Sequence, residues 1–182
     1  MSNLKLIILD RDGVINEDSP EYIKSPQEWH AIPGSLEAIA QLNRAGYIVV
    51  VATNQSGIAR GYFSSQTLDA IHAKMHKEIA EHGGKIDGIF ICPHGPKDDC
   101  TCRKPKPGLL QQIGEHFKIP ASQTLVIGDS IRDLEAAKAY GAEAILVLTG
   151  KGQHAAKSMA HFPAVAVYKD LAAAVSQLIM DN

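Results

Sequence analysis

Two aspartates stand at alternate positions directly after a short apolar run near the start of the sequence. The run Leu6–Leu9 ends at Asp10, Asp12 follows after one residue, and Gly13 lets the chain turn sharply. A carboxylate can act as a nucleophile toward phosphorus, and a second carboxylate two residues on can pass a proton to the leaving oxygen. The alternative is a turn that merely contains aspartates, and the pair alone does not decide between the two.

Four polar side chains in a row follow a second apolar run. Thr53, Asn54, Gln55 and Ser56 come directly after the run that ends at Ala52. Hydroxyl and amide groups at the end of a parallel strand can hold phosphate oxygens. A polar segment that leads into the next helix would use the same residue types. This segment therefore indicates a phosphate site only in combination with the other motifs.

A third acidic position follows a later apolar run. Asp129 comes after Gly128 and before Ser130, and Asp133 follows one helical turn later. Three carboxylates that meet at one edge of a sheet repel one another unless a cation joins them. Such an oxygen-lined site suits Mg²⁺, which takes few protein ligands and keeps several water molecules. The alternative role of Asp129 is to cap the helix that follows it.

Two adjacent cations open a loop that prolines stiffen. Arg103 and Lys104 are followed by a proline, by Lys106 and by a second proline. Fixed positive charge beside a phosphoryl group offsets the negative charge that develops during transfer. A solvated basic loop is the alternative.

All three cysteines of the chain lie in one short window with a histidine. Cys92, His94, Cys100 and Cys102 supply three thiolates and one imidazole, which are the number and kinds of ligand that a closed tetrahedral Zn²⁺ site takes. The spacing differs from that of standard zinc fingers, and the alternatives are single buried thiols or a redox pair at Cys100 and Cys102. We expect a structural Zn²⁺ that stiffens the loop carrying Arg103, because four protein ligands leave no position for water.

Short apolar runs alternate with segments of helical periodicity, which is typical of βαβ units around a parallel sheet. Buried strands are predicted at 5–9, 47–52, 88–91, 124–127 and 144–148, with a weaker candidate at 164–167. Helices are predicted at 35–45, 65–82, 108–117, 130–140 and 170–179. Each motif above follows a predicted strand or opens a helix, and open α/β folds bind ligands at the carboxyl ends of their strands.

Length and composition limit the classes of protein to which this chain can belong. The 182 residues predict a single domain over 1–182, with no room between the motifs for a separate cap domain. A formal net charge of −2 gives no field that attracts nucleic acid or an anionic membrane, so we expect neither partner. The apolar run before Asp10 is too short for a signal peptide or a membrane span. We expect a cytoplasmic monomer that acts on a small phosphorylated substrate.

The order of the motifs carries more information than any one of them. The set Asp-x-Asp-Gly, Thr-Asn-Gln, Arg-Lys and Gly-Asp resembles the haloacid dehalogenase superfamily of phosphohydrolases. Within it, residues 9–13, 53–57, 92–94 and 100–105 resemble the D-glycero-D-manno-heptose 1,7-bisphosphate 7-phosphatases, and the likeness covers about residues 4–150. This resemblance implies a Rossmann-like parallel sheet with helices on both faces, Mg²⁺ dependence, and removal of the C7 phosphate on the route to ADP-heptose and lipopolysaccharide.

The resemblance also implies roles for individual residues. Asp10 is the expected nucleophile that forms an aspartyl-phosphate, and Asp12 is the expected acid and base. Mg²⁺ is expected at the carboxylates of Asp10 and Asp129 and at the backbone carbonyl of Asp12. Thr53 and Lys104 are expected to hold the transferring phosphoryl group.

Substrate recognition is expected from Arg103 and from two groups of residues around the pocket. These are Asn54, Gln55, Ser56 and Ser130, and the loop residues Asp18, Ser19, Pro20 and Glu21. Lys104 is preferred over Lys106 as the phosphate ligand, because it directly follows the matched Cys-x-Cys-Arg element. His72 and His76 are expected on a solvated helix surface, and residues 150–152 are expected to form a simple turn.

Two other functions fit parts of the pattern. Histidinol-phosphate phosphatase is the nearest alternative, because its relatives share the aspartate motifs and a similar zinc loop. A receiver-like phospho-signalling module is an alternative from another class, and it needs its phospho-acceptor after a central strand. Here the paired aspartates end the first predicted strand and Thr53 ends the second, which favours an enzyme.

Overall fold

A computed structural model describes residues 4–181. Its strands are β1 Leu6–Leu9, β2 Ile48–Asn54, β3 Gly88–Cys92, β4 Thr124–Gly128, β5 Glu143–Val147 and β6 Ala166–Tyr168. Its helices are α1 Ser35–Arg44, α2 Ser65–Glu81, α3 Gly108–Phe117, α4 Ile131–Tyr140, α5 Gly152–Ala155 and α6 Leu171–Met180. The six strands form one parallel sheet in the order β3-β2-β1-β4-β5-β6.

The sheet has an apolar core on each face, as predicted. All four side chains of β1 are fully buried, because this strand pairs with β2 on one side and β4 on the other. Ile7 and Leu9 pack with residues of α1, α2 and α6, whereas Leu6 and Ile8 pack with residues of α3 and α4. Each such side chain contributes about 2 kcal/mol of burial free energy, so the strand that precedes Asp10 is firmly held.

The predicted strands and long helices are all present, with ends that differ by no more than two residues. The strand β2 runs two residues further than predicted, because Thr53 and Asn54 pair with the end of β3. The turn predicted at 150–152 is confirmed, because the N–H of Gly152 donates to the carbonyl of Thr149 at 2.8 Å. The short helix α5, which begins at Gly152, was not predicted. A side chain at Gly152 would overlap the carbonyl of Val147, so the helix starts pressed against the end of β5.

Loops alone cover the carboxyl end of β1. The segment between β1 and α1 holds irregular chain and one 3-10 turn at Pro26–Glu28, and residues 93–107 between β3 and α3 are irregular. Within residues 4–181 no second sheet or helical layer stands over this edge. In the same part of the chain, no helix is both long and apolar enough to cross a membrane.

Candidate active site

The carboxylate of Asp10 lies at the tip of β1, which is a central strand of the sheet. The position of this aspartate therefore does not distinguish an enzyme from a receiver-like module, contrary to the expectation from strand order along the sequence. The backbone N–H of Asp10 donates to the carbonyl of Ile127 in β4, at 3.0 Å, so the strand pairing fixes its position. Its Oδ1 accepts a hydrogen bond from the N–H of Arg11 at 2.7 Å and lies 3.2 Å from Nζ of Lys104. The side chain is 15% exposed, which leaves the carboxylate open to the cavity above it.

Asp12 is held by several donors at once. The Arg11 guanidinium donates to both of its carboxylate oxygens, and the side-chain amides of Asn16 and Gln55 donate to it at 2.9 and 3.0 Å. Burial raises the pKa of Asp12, but the charge of Arg11 and these hydrogen bonds outweigh that effect and lower it below its usual value. Asp12 is therefore ionised in this arrangement.

Lys104 is a buried cation between two carboxylates. Its Nζ lies 2.6 Å from Asp133 and 3.2 Å from Asp10, and it also donates to the carbonyl of Ala52 at 2.8 Å. Burial lowers the pKa of Lys104, but the two carboxylates reverse that effect and raise it. The side-chain amide of Asn54 fixes the loop, because it donates to the carbonyl of Lys104 and accepts from its N–H, both at 3.1 Å.

Lys106 points elsewhere. Its side chain is half exposed, and its Nζ donates to the carbonyl of Cys100 at 2.7 Å. The structure thus brings Lys104, and not Lys106, to the aspartates.

Asp133 was noted in the sequence but given no role. It is buried in the first turn of α4, where its Oδ2 accepts from the hydroxyl of Ser130 at 2.7 Å and from the N–H of Ser130 at 3.1 Å. Its other oxygen contacts Lys104. Spacing of one turn after Asp129 was the only signal for it, and only the fold shows that it anchors the lysine.

Asp129 lies where two loops touch. Its Oδ2 accepts from the N–H of Lys151 at 2.8 Å, and a Cβ at either Gly13 or Gly150 would overlap its carboxylate. Both glycines have positive φ, of 85° and 54°. Glycine at positions 13 and 150 therefore lets the two loops close around the carboxylate of Asp129.

Three carboxylates converge as predicted, and one of them belongs to Asp133, which was not among the expected metal ligands. Oxygens of Asp10, Asp129 and Asp133 lie within 4.8 Å of one another. Burial is the largest effect on the pKa of Asp10 and raises it. The charge of Lys104 lowers this pKa, the charges of neighbouring aspartates raise it, and the result is a pKa of about 6. Burial and the charges of Asp10 and Asp133 raise the pKa of Asp129 to about 8. These carboxylates are costly to ionise together, and a divalent cation would remove that cost.

A cavity of about 360 Å³ opens above the aspartates and holds most of the predicted site residues. Its predicted lining residues are Asp10, Asp12, Asp18, Ser19, Pro20, Thr53, Asn54, Gln55, Ser56, Arg103, Lys104, Asp129 and Ser130. Glu21 differs, because it is exposed and does not line the cavity. Thr53 is oriented by a hydrogen bond of 2.9 Å from the amide of Gln55 to its hydroxyl.

The cavity is also lined by cationic side chains that were not among the predicted site residues. Arg60, Arg132 and Lys151 line it beside Arg103. Lys151 forms an ion pair of 2.8 Å with Asp18, which ties the loop after β1 to the loop before α5. Neither Arg60 nor Arg132 was among the predicted site residues, and nothing in the local sequence around Arg132 points to a ligand.

The interpretation of His72 as solvated surface is wrong, whereas His76 is exposed as expected. His72 is buried, and its Nε2 lies 3.1 Å from Nη1 of the fully buried Arg11. Burial and the charge of Arg11 lower the pKa of His72 to about 4, so the imidazole is neutral and accepts this hydrogen bond.

The Cys/His window forms a compact cluster. Ligand atoms of Cys92, His94, Cys100 and Cys102 all lie within 4.8 Å of one another. The Sγ atoms of Cys92 and Cys100 are 3.8 Å apart, and Nδ1 of His94 is 3.3 Å from Sγ of Cys102. Ligands of a tetrahedral Zn²⁺ would be separated by about 3.5 to 3.8 Å, which follows from Zn–S and Zn–N bonds of about 2.3 and 2.0 Å. The four side chains therefore fit one metal ion.

The cluster is connected to the cavity through Arg103. Nη1 of Arg103 donates to the backbone carbonyl of His94 at 3.1 Å. Burial raises the pKa of the Cys92 thiol to about 12, so a bound cation is required for this side chain to serve as a thiolate ligand near neutral pH. A metal in the cluster would thus fix the arginine that borders the cavity.

Comparison with known proteins agrees with this fold. Residues 101–174 match the HAD-hydrolase-like family model. CbbY from Rhodobacter sphaeroides is 18% identical with a TM-score of 0.61, over 93% of this chain and 95% of its own, and shares the fold. Sheet order, clustered aspartates and buried lysine define a haloacid dehalogenase-like hydrolase.

Closer relatives carry a more specific name. A D-glycero-beta-D-manno-heptose-1,7-bisphosphate 7-phosphatase from Pseudomonas putida is 53% identical over 97% of this chain and all of its own length. A crystal structure of D,D-heptose 1,7-bisphosphate phosphatase from B. bronchiseptica, complexed with magnesium and phosphate, is 50% identical with a TM-score of 0.96, over 98% of this chain and 100% of that one. The chain belongs to the D-glycero-D-manno-heptose 1,7-bisphosphate 7-phosphatase family, and it is a phosphoric monoester hydrolase.

Proposed function

We propose that this enzyme removes the phosphate at C7 of D-glycero-D-manno-heptose 1,7-bisphosphate, on the route to ADP-heptose and lipopolysaccharide. One observation carries the proposal: Asp10 stands 3.2 Å from the buried Lys104 on the floor of a small polar cavity, in a chain 50–53% identical over nearly its whole length to proteins of that name. The same identity favours the heptose substrate over histidinol phosphate.

In the first half of the reaction, a carboxylate oxygen of Asp10 attacks phosphorus and the bond from phosphorus to the C7 oxygen breaks. Asp12 gives its proton to that leaving oxygen, and the product is an aspartyl-phosphate at Asp10. Lys104 and the hydroxyl of Thr53 hold the phosphoryl oxygens, because both side chains border the cavity and each is fixed by buried partners. Fixed donors of this kind stabilise the charge that develops in the transition state.

In the second half, Asp12 takes a proton from water, and the resulting oxygen nucleophile attacks phosphorus. The bond from phosphorus to the Asp10 oxygen breaks, which releases inorganic phosphate and restores the Asp10 carboxylate. Because the pKa of Asp12 is lowered, its carboxylate is ionised and can accept the proton from water. Its earlier role as an acid requires a higher pKa, and an arriving phosphate dianion would raise it by repelling the carboxylate charge. Arg11, Asn16 and Gln55 keep Asp12 aimed throughout.

The carboxylates of Asp10 and Asp129, together with the backbone carbonyl of Asp12, would hold Mg²⁺. The mutual proximity of the carboxylates and their raised pKa values support this assignment. A bound Mg²⁺ supplies neutralising charge to the phosphoryl group and to the carboxylates. Asp133 is left to anchor Lys104, because both of its oxygens already have partners.

Cys92, His94, Cys100 and Cys102 would hold a structural Zn²⁺. Their four ligand atoms leave no open position for water, so the metal would take no part in the reaction. Its proposed effect is mechanical, through the hydrogen bond that Arg103 donates to His94.

The proposal is tested by incubating the protein and Mg²⁺ with heptose 1,7-bisphosphate or with histidinol phosphate, and following each ester by phosphorus NMR. We expect fast, selective loss of the C7 phosphate, while the C1 phosphate remains. The Asp10→Asn variant serves as the control for contaminating phosphatases. Preferred hydrolysis of histidinol phosphate would overturn the substrate and keep the site, whereas no hydrolysis of either would refute the proposed function.

A further inference from the structure

Arg11 is a fully buried cation whose guanidinium group connects α2 to the cavity. Its Nε and Nη2 donate to the carboxylate of Asp12, over 2.9 to 3.0 Å. Its other terminal nitrogen, Nη1, lies 3.1 Å from Nε2 of His72 in the middle of α2. Neither Arg11 nor His72 is among the described residues that line the cavity, so His72 has no contact with a substrate bound there.

Arg11 sets the plane of the Asp12 carboxylate. Asn16 donates to one oxygen of that carboxylate and Gln55 to the other, whereas Arg11 donates to both. A guanidinium group is planar, with its donors in a fixed fork, so two parallel bonds make the two planes coincide. The contact with His72 holds the opposite edge of the guanidinium group, which removes the tilt that a group held at one edge keeps.

His72 supplies this contact without charge. Burial is the largest effect on the pKa of His72 and lowers it, the charges of Arg11 and His76 lower it too, and the charge of Asp12 raises it, with a result of about 4. The imidazole is therefore a neutral acceptor. A carboxylate at this position would share the charge of Arg11, whereas the imidazole leaves that charge to Asp12.

We propose that His72 is a positioning residue for the acid step of the reaction, because it holds Arg11 and thereby the carboxyl group of Asp12 in the orientation that gives a proton to the leaving oxygen. The inference rests on the proposed function, in which Asp12 is that acid. A general acid must lie within hydrogen-bond reach of the oxygen that it protonates, so a small tilt of its carboxyl group reduces the rate.

The test compares two substrates that differ in their need for a proton. The C7 oxygen of heptose 1,7-bisphosphate leaves as an alcohol and needs one, whereas the leaving group of 4-nitrophenyl phosphate is a stabilised phenolate and leaves without one. The values of kcat/KM report the steps up to the phosphorylation of Asp10, so the later activation of water does not enter. Their ratio is taken on one preparation of each variant, so a loss of folded protein cancels.

Three substitutions of His72 are compared with the wild-type enzyme. We expect His72→Leu to lower the ratio of heptose to nitrophenyl hydrolysis about tenfold, as the loss of one hydrogen bond to a charged group would. His72→Gln should keep most of the ratio, because its amide oxygen reaches about as far as Nε2. His72→Asn is the matched variant, since its shorter amide does not reach Arg11, and it should behave like His72→Leu. His76→Leu, on an exposed part of the same helix, should leave the ratio unchanged.

Each outcome decides one of the two proposals. If His72→Leu and His72→Asn keep the wild-type ratio, or if both substrates lose activity equally, the positioning role is refuted and the proposed function stands. No hydrolysis of heptose 1,7-bisphosphate by the wild-type protein would refute the proposed function, together with the inference that rests on it.

Discussion

The ammonium group of Lys104 lies 2.6 Å from a carboxylate oxygen of Asp133, and both side chains are almost fully buried. The two residues are 29 positions apart, and only the meeting of the loop before α3 with the first turn of α4 brings them together. The second contact of Lys104, with Asp10, makes the lysine a link between an anchoring carboxylate and the proposed nucleophile.

Removal of this lysine should affect both activity and stability. In Lys104→Met, we expect kcat to fall at least about 100-fold, because a fixed cation at the phosphoryl group is lost. We also expect the free energy of unfolding at neutral pH to fall by about 3 kcal/mol, because two buried carboxylates lose their partner. Steady-state kinetics and urea denaturation measure the two effects. Lys106→Met is the matched control, and equal losses in both variants would contradict the assignment of Lys104.

The pH dependence of stability should reveal the crowded carboxylates. The pKa values of Asp10 and Asp129 are raised to about 6 and about 8, so without Mg²⁺ the folded state binds more protons than the unfolded state in this range. Stability should then fall as the pH rises through these values. Mg²⁺ binds the ionised carboxylates, so it should raise Tm more at about pH 8.5 than at about pH 5.5.

Thermal denaturation with and without added Mg²⁺ measures this effect. Asp129→Asn should remove most of the Mg²⁺-dependent rise in Tm at the higher pH. A rise that is the same at both pH values in the wild-type protein would argue against a cation held by these carboxylates.

The Cys/His cluster makes a prediction about metal content. The wild-type protein should contain about one zinc ion per chain, and Cys102→Ser should lose most of it, because a neutral hydroxyl replaces a thiolate ligand. Atomic absorption measures the zinc. Asp99→Asn serves as the control, since Asp99 lies in the same loop and its side chain is fully exposed. Retention of a full equivalent by Cys102→Ser would exclude the proposed site.

The buried contact between His72 and Arg11 predicts an unequal response of two histidines on one helix. His72→Leu should lower the free energy of unfolding by about 1 to 3 kcal/mol, because Arg11 keeps a buried donor without its acceptor. His76→Leu, at an exposed position, should change it by less than about 0.5 kcal/mol. Urea denaturation measures both. His72→Gln should recover part of the loss, and equal effects at the two positions would show that the contact is unimportant.

The sheet and the motif residues could be predicted because they depend on local sequence. Each central strand is a continuous apolar run, and Asp10, Thr53 and Asp129 each stand at or just beyond the end of a strand. The Cys/His cluster could be predicted for a similar reason, since its four ligands lie within eleven residues of one another.

The rest depends on contacts between distant segments. His72 lies 61 residues from Arg11, and its burial could have been inferred only from its place among the apolar residues of α2, with Leu68 and Met75 on the same face. The role of Asp133 and the position of Arg132 depend on how α4 meets the loop before α3, which no local pattern encodes. The short helix α5 shows a different limit, because its four residues are too few to display a helical period.

The most direct test of the account is to identify the residue that carries the phosphoryl group. Wild-type protein is mixed with heptose 1,7-bisphosphate and Mg²⁺, quenched during turnover, and reduced with borohydride, which converts an aspartyl-phosphate to homoserine. Trypsin then releases residues 6–11, in which Asp10 is the only carboxylate side chain. We expect mass spectrometry to find homoserine at position 10, and to find none in Asp10→Asn. Homoserine at another aspartate, or at none during active turnover, would contradict the central role of Asp10.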